Sequence, residues 1–514
     1  KVFYFPKFFH PDPTVDRQSG FLIPKMQDNS TTGLSLNLPY FIAIAENKDI
    51  TLSPRFFGED KFLIQSELRQ KNRNSNHVAD FSQYISSGEN AKSHLFYNFK
   101  KDYKTNNFDE IELNIKLEQV SDETYLKAYK IESPIIKNTS NLTNSLGLDL
   151  YDEDISISTN LDIYEDLSKQ DSDKYEYVPN FSFSKILNEN KILSSKGYYK
   201  NYNTNITEKV LINNFEFNST PRFLNNGLIS EKKLLIKNVN SSASNSDKFK
   251  NKNSLDVMPT LQANYLLPLI KETNNLSSTL IPKLSLKFST PHTKDIRKTD
   301  RQINYNNIYD LNRLGVDDSN EGGVSLTYGY EYSLTEKSNS LEKMKFGLAN
   351  NLRFDENKDL PANSNLGDKV SDFVGIFEYN PNQNLKFDYD FSIKNNMSDK
   401  NYELYGFEFY LKNLTTRFEY LNENNSNLKT SYLKNETRLD INEQNSLTFE
   451  TRENKEKSFT EFYNLIYQYK IDCLTAAIEY NKEYYNDRDL KPSENLFLKL
   501  SIIPLGGMNT PNLK

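Results

Sequence analysis

Apolar residues in this chain recur at every second position, in runs of about ten residues separated by stretches rich in Asn, Ser, Asp and Lys. A period of two turns one face of an extended strand toward an apolar phase and the other toward a polar one. Such runs are Lys61–Arg69, Glu110–Leu117, Leu148–Leu161, Val178–Phe183, Leu280–Phe288, Gly322–Tyr332, Asn384–Ile393 and Leu404–Leu411. Leu433–Ile441, Leu447–Thr451, Phe459–Tyr469, Leu474–Tyr480 and Leu496–Ile502 continue the pattern. Only Ile471–Tyr485 fits helical spacing about as well, so an all-β fold is expected.

The stretch Ser19–Pro54 is read as strand, turn, strand, turn and the start of a third strand. Gly33–Ala45 alternates, with Leu34, Leu36, Leu38, Tyr40, Ile42 and Ile44 on one face, yet Pro39 lies inside it and Pro24 inside the strand before. Proline gives no N–H to a ladder and belongs at sheet edges and bulges. A hairpin turning at Thr31-Thr32 sets the two prolines opposite or nearly opposite, making one weak spot across two neighbouring strands.

The polar connections are unequal: Lys137–Ser145, Asp166–Lys174, Asn238–Asn253 and Thr290–Asn307 are long and others span a few residues. Outer-membrane barrels have this asymmetry, and at roughly twenty residues per strand and connection the chain allows on the order of 24 to 26 strands. No run approaches the length of a membrane-spanning helix, which leaves a membrane barrel open because only half of each strand faces lipid. A soluble sandwich or propeller shows the same alternation. The apolar fraction is only 36%, but 33 Tyr and 33 Phe do not fit a disordered chain. The absence of Trp counts mildly against an interfacial girdle.

A net charge of −7 argues against a nucleic-acid partner. His10, His77, His94 and His292 form no metal-ligand spacing with one another or with Cys, and no nucleophile-elbow, phosphate-loop or zinc-protease motif occurs. Asp149, Asp152, Glu153 and Asp154 are expected on a polar lumen or loop face. The chain is therefore read as a non-enzyme without metal or cofactor. Cys473 is the single cysteine. It reads either as a small buried hydrophobe or as half of a disulfide to a segment outside this sequence. Lys1 opens the chain without Met or a signal peptide, which reads as a processed or trimmed piece.

Val2–Pro6, Arg17–Pro24, Leu38–Phe41 and Asn47–Pro54, in that order and spacing, resemble the opening of the barrel of the LPS-assembly outer-membrane protein family, LptD or OstA. Leu280–Pro291 and Asn307–Gly329 resemble its mid-barrel signature, and Leu496–Gly507 its last strand. The sequence departs from the family pattern at Ile42, Glu46 and Gly58-Glu59-Asp60.

The resemblance implies a transmembrane antiparallel β-barrel of about 26 strands over residues 17–505, after the tail of a periplasmic jelly-roll domain and linker at 1–16 and before a C-terminal tail at 506–514. It implies lipopolysaccharide inserted into the outer leaflet through a lateral gate between the first and last strands. Pro24 and Pro39 match the family's strand prolines, and the gate is expected to comprise these two with Gly20, Phe21, Leu22, Ile23, Leu496, Leu498, Leu500 and Ile502. Implied partners are lipopolysaccharide, outer-membrane lipid, a plug lipoprotein in the lumen (LptE-like) and a periplasmic lipopolysaccharide bridge protein (LptA-like) reached through the N-terminal domain. Cys473 falls where some members carry cysteines joined to that domain. The rival readings are a diffusion porin or plugged receptor barrel, and a non-membrane β-rich adhesin.

Overall fold

The computed structural model describes residues 18–502 apart from 23, 30–31, 59–60, 89, 137, 170, 204, 292–293, 398, 425–428, 472–473 and 485–492. Among the described residues, thirty strand segments form one antiparallel sheet. Four strands are each built of two collinear segments, so the sheet has 26 strands. The first comprises Gly20–Phe21 and Lys25–Asn29, and the second Gly33–Asn37 and Tyr40–Ala45. Each strand pairs with its neighbour in sequence, and Lys25–Asn29 pairs with the last strand, Ser493–Ile502. The sheet thus closes on itself, as a β structure in lipid must.

Alternation sorts the side chains between two faces. In Lys92–Tyr103, His94 and Phe96 are buried on the inner face while Leu95 is exposed on the outer one. Leu146, Leu161, Phe181, Leu261, Phe288, Phe418 and Leu465 are outward and exposed in the same way. The inner wall carries Asp80, Glu118, Lys237, Gln262, Lys287 and Asn351, all buried. An apolar outside and a polar inside is the arrangement of a barrel whose solvent is the bilayer.

The connections are asymmetric about the barrel. Residues 121–140, 245–253, 290–322 and 354–372 all leave the same end, whereas no connection at the other end exceeds the six residues 104–109. With an even number of strands, Gly20 and Ile502 both lie at the short-turn end, which is the periplasmic end in such barrels. The long loops therefore face outward from the cell.

Leu148–Leu161 is two strands and not one. Asn141–Tyr151 and Ile155–Asp166 flank a turn at 152–154, where the Asp152 N–H donates to the Ile155 carbonyl at 2.9 Å. The three acidic residues there imitate the polar positions of a strand, and no Gly, Pro or Asn marks the turn. Ile471–Tyr485 contains a strand, Leu474–Glu483. Among the described residues, helix is confined to Tyr125–Ala128 and two 3-10 turns, and no helix is long and apolar enough to cross a membrane.

Candidate functional site at the closing seam

The seam between the first and last strands holds four residue pairs among the described residues: Met26 with Leu498, Gln27 with Phe497, Asp28 with Leu496 and Asn29 with Asn495. Every other pair of neighbouring strands shares at least six, and the last strand shares ten with its other neighbour. The paired part lies toward the long-loop end. Gly20 and Phe21 pair only with Phe41 and Tyr40 of the second strand, and Leu500 and Ile502 only with Ala476 and Leu474 of the penultimate strand. The structure thus joins Leu496 and Leu498 to the first strand. It does not join Gly20, Phe21 or Leu22 to Leu500 or Ile502, and Ile23 lies outside the described residues.

The pairing stops where the prolines stand. The Leu22 N–H donates to the Pro39 carbonyl at 2.8 Å, and regular register resumes at Lys25 opposite Asn37. Between the pairs Phe21–Tyr40 and Lys25–Asn37 the first strand is therefore one residue longer than the second, which has only Leu38 and Pro39 there. This is a β-bulge, and it contains both residues that lack an N–H. Pro24 and Pro39 are near neighbours across it and not direct partners, because the hairpin closes at Asn29 opposite Gly33 and not symmetrically about Thr31-Thr32. Gly33 has φ +72, a left-handed turn exit that favours glycine. A third proline, Pro54, sits in the third strand, Lys48–Phe57, and its carbonyl accepts the Leu38 N–H at 2.9 Å. Sequence reasoning did not single out Pro54, although a proline inside an alternating run is the same signal.

On the lumen side a loop crosses the seam. Residues 121–140 turn inward through the helix Tyr125–Ala128, whose Tyr125 and Leu126 are fully buried against Leu63, Tyr84, Phe96 and Leu142. The Arg55 guanidinium donates to the Tyr129 carbonyl at 2.7 Å, and the Gln65 amide to the Glu132 carbonyl at 2.8 Å. Glu132 also forms an ion pair with Lys25 of the first strand at 2.9 Å, while Lys130 reaches Glu483 of the penultimate strand at 3.2 Å. One loop thereby spans the joint and holds a charged group on each side of it.

A second loop, 290–322, is anchored further around the barrel. Ile303, Ile308 and Leu314 pack with Leu360, Leu366 and Val374. Beneath them the Glu321 carboxylate accepts from Arg313 and from Arg353 and lies 3.5 Å from the Lys287 ammonium, all four side chains being buried. Burial pushes the Glu321 carboxyl up, but Arg313, Lys287 and Arg353 outweigh that and hold it down at about 2. The Lys237 ammonium donates to the Val316 and Ser319 carbonyls at 2.9 and 2.8 Å. Each buried cation thus has a charged or carbonyl partner from the loop.

Two arrangements resemble reactive sites. Ser82 Oγ is 2.6 Å from His94 Nδ1, and His94 Nε2 is 3.3 Å from Asp80, but all three are buried and Ser82 Oγ also lies 2.7 Å from the Tyr125 hydroxyl. The Ser82 hydroxyl is fully buried, and the chain of groups ties the loop helix to the wall. Asp102, Glu110 and Glu112 converge near the short turns, with the Lys100 ammonium paired to Glu112 and 3.9 Å from Asp102. Asp149 takes an amide hydrogen from Asn114 at 3.3 Å on the inner wall, and Asp152, Glu153 and Asp154 form the turn. Cys473, His10 and His292 lie outside the described residues.

A closed antiparallel barrel with an apolar exterior, a polar interior and long loops at one end is an integral protein of the outer membrane. The profile of the family LptD, LPS transport system D, matches residues 97–459, and the chain belongs to that family. The LPS-assembly protein LptD of Pseudoalteromonas atlantica (strain T6c / ATCC BAA-1087) is 25% identical over 178 residues, 35% of this chain and 23% of that protein. The LPS-assembly protein LptD of Pseudomonas putida (strain GB-1) is 41% identical over 70 residues, 13% of this chain and 7% of that protein. The matched part is thus less than a quarter of either relative. The siderophore receptor PirA of Pseudomonas aeruginosa superposes with a TM-score of 0.33 at 10% identity, over 95% of this chain and 80% of that one, too distant a likeness to carry weight.

Proposed function

We propose that this barrel takes lipopolysaccharide into its lumen from the periplasmic side and releases it sideways into the outer leaflet by parting the first and last strands. The observation that carries this reading is the four-pair seam ending at the Pro24 bulge. At roughly 0.5 to 1.5 kcal/mol net per hydrogen bond, four pairs hold with about 2 to 6 kcal/mol, against more than twice that for the ten pairs on the other side of the last strand. In lipid, parted groups find no water, so strands open where fewest bonds are lost. The unpaired stretch lies at the periplasmic end, where a lipid rising through the lumen first meets the wall. A diffusion porin needs no weak joint, and its mouth is open, whereas here parts of loops 121–140 and 290–322 pack into buried apolar clusters.

An LptE-like plug lipoprotein in the lumen and an LptA-like periplasmic bridge belong to the same proposal, as do the expected gate residues and the domain limits. A seam lock tests the central claim. Gln27→Cys with Phe497→Cys, which face each other across the joint, should stop delivery of lipopolysaccharide to the cell surface under oxidising conditions and restore it with reductant. Thr51→Cys with Glu67→Cys, across a fully paired joint, should leave delivery unchanged. Delivery that proceeds through the locked seam overturns the proposal.

A further inference from the structure

We infer that the outer wall carries a site for one lipid with an anionic headgroup, in a groove far from the seam in the outer-leaflet half of the barrel. The groove encloses about 1040 Å³ and runs across Ile155–Asp166, Tyr175–Asn188, Lys191–Tyr202, Ile206–Asn218, Ile229–Ser244 and Ser254–Leu266. Two sets of its outward residues differ in character. Leu161, Phe181, Leu211 and Leu255 are exposed apolar side chains, whereas Lys209, Asn240 and Ser242 are polar.

The groove exists because of a glycine. Phe181 and Gly197 are direct cross-strand partners, and the Phe181 ring lies where a Cβ on Gly197 would stand. With the ring folded back onto the sheet, the space between Leu161 and Leu255 is left open. Any larger residue at 197 pushes the ring outward into that space.

Its height and charge select the occupant. Lys209 is the fourth residue of its strand from the long-loop end, Ser242 the third from the end of its own, and Leu255 the second after loop 245–253. At about 3.3 Å per residue along a tilted strand, these positions fall within roughly 10 Å of the outer rim. Lys209 points outward with its ammonium 5.9 Å from the Tyr199 ring centroid, and among the described residues no carboxylate pairs with it. A lone exposed cation beside apolar side chains on a wall that faces the bilayer matches a lipid phosphate above an acyl chain. Lys209 would take the phosphate, Asn240, Ser242 and the flank of Leu255 the junction beside it, and the deeper Leu161, Phe181 and Leu211 the chain. This rests on the membrane-barrel reading and not on transport, so lipid binding is measured without lipopolysaccharide delivery.

The chain has no tryptophan, so one introduced indole reports its own surroundings. Leu255→Trp places it in the groove, and Phe288→Trp places it on the outer wall outside the groove, likewise as the second residue of its strand from the long-loop end. The full chain is reconstituted in phosphatidylcholine vesicles containing phosphatidylglycerol with brominated acyl chains, which quench a neighbouring indole. Preferential binding should make brominated phosphatidylglycerol associate about fivefold more strongly at Leu255→Trp than at Phe288→Trp, the effect of one lysine beside an anionic lipid. Lys209→Gln should abolish the preference, and Gly197→Val should lower quenching at the groove while heat-modifiable gel mobility stays normal. Brominated phosphatidylcholine should quench both sites alike, and soluble glycerol phosphate should not displace the lipid. Equal association of phosphatidylglycerol at the two sites, or a preference that survives Lys209→Gln, overturns the inference. So does displacement by glycerol phosphate, which marks a simple anion site.

Discussion

Lys25 and Glu132 form an ion pair of 2.9 Å that fastens the first strand to the loop lying across the barrel joint, and Lys130 of that loop is paired with Glu483 beyond the joint. Both members of the first pair are about half exposed, so the pair adds well under about 1 kcal/mol to global stability. Its leverage is local, because the joint beneath has few bonds of its own. Glu132→Gln with Lys130→Gln should leave heat-modifiable mobility unchanged and speed amide exchange at Met26–Asn29 several-fold. Exchanging the charges, Lys25→Glu with Glu132→Lys, should restore slow exchange. Equal exchange in all variants would remove the strap from the account.

Replacing Pro24 and Pro39 with Val and Thr restores two backbone donors at the bulge. At about 0.5 to 1.5 kcal/mol per added bond, the seam should lengthen toward the periplasmic end. The double variant should fold and insert normally and deliver less lipopolysaccharide to the surface, read by surface labelling. Normal delivery by a folded double variant would defeat the gate.

Acid should release loop 290–322 before the barrel unfolds. The Glu321 carboxyl is held at about 2 in the folded protein against an ordinary value of 4.5. A depressed carboxyl contributes its full stabilisation above the ordinary value and loses it as pH falls toward the folded one. Protease cleavage within 290–322 should therefore stay slow down to about pH 4.5 and rise between there and about pH 2. Glu321→Gln leaves Lys287, Arg313 and Arg353 without their shared anion. Removing one partner of a buried ionic group costs about 3 to 5 kcal/mol, so this variant should be cleaved at neutral pH and pass ions through the mouth in planar bilayers.

Tyr125 separates packing from hydrogen bonding. Tyr125→Phe forfeits the contact with Ser82, worth about 1 kcal/mol. Tyr125→Ala empties a fully buried site and should cost about 3 to 5 kcal/mol. Proteolysis of 121–140 should be rapid in the alanine variant and nearly unchanged in the phenylalanine one.

The alternation was enough to read the strands from sequence, because a strand between two phases must change character at every residue; a sandwich or propeller alternates alike, and it was the family resemblance that singled out the barrel. Pro24 and Pro39 were legible as a flaw for the same reason, a missing N–H inside an alternating run. The register was not. Whether Pro24 faces Pro39 or sits in a bulge depends on one residue in the turn, and alternation continues on either side of that shift. The partners of the last strand, Met26, Gln27, Asp28 and Asn29, were likewise hidden, since pairing between the two ends of a chain leaves no local trace. Nor did the sequence mark Glu132, Lys130 and Glu321, ordinary loop charges until the fold sets them against Lys25, Glu483 and Arg313.

Met26 and Leu498 meet across almost the whole length of the chain. A contact between such distant positions carries a heavy loop-closure penalty, so the cylinder forms as a widening ribbon whose ends find each other last. The step that completes insertion and the step that would let cargo escape are then one motion run in opposite directions. A joint weak enough to reopen is also slow to form, and such a barrel should depend more than others on assistance during its assembly.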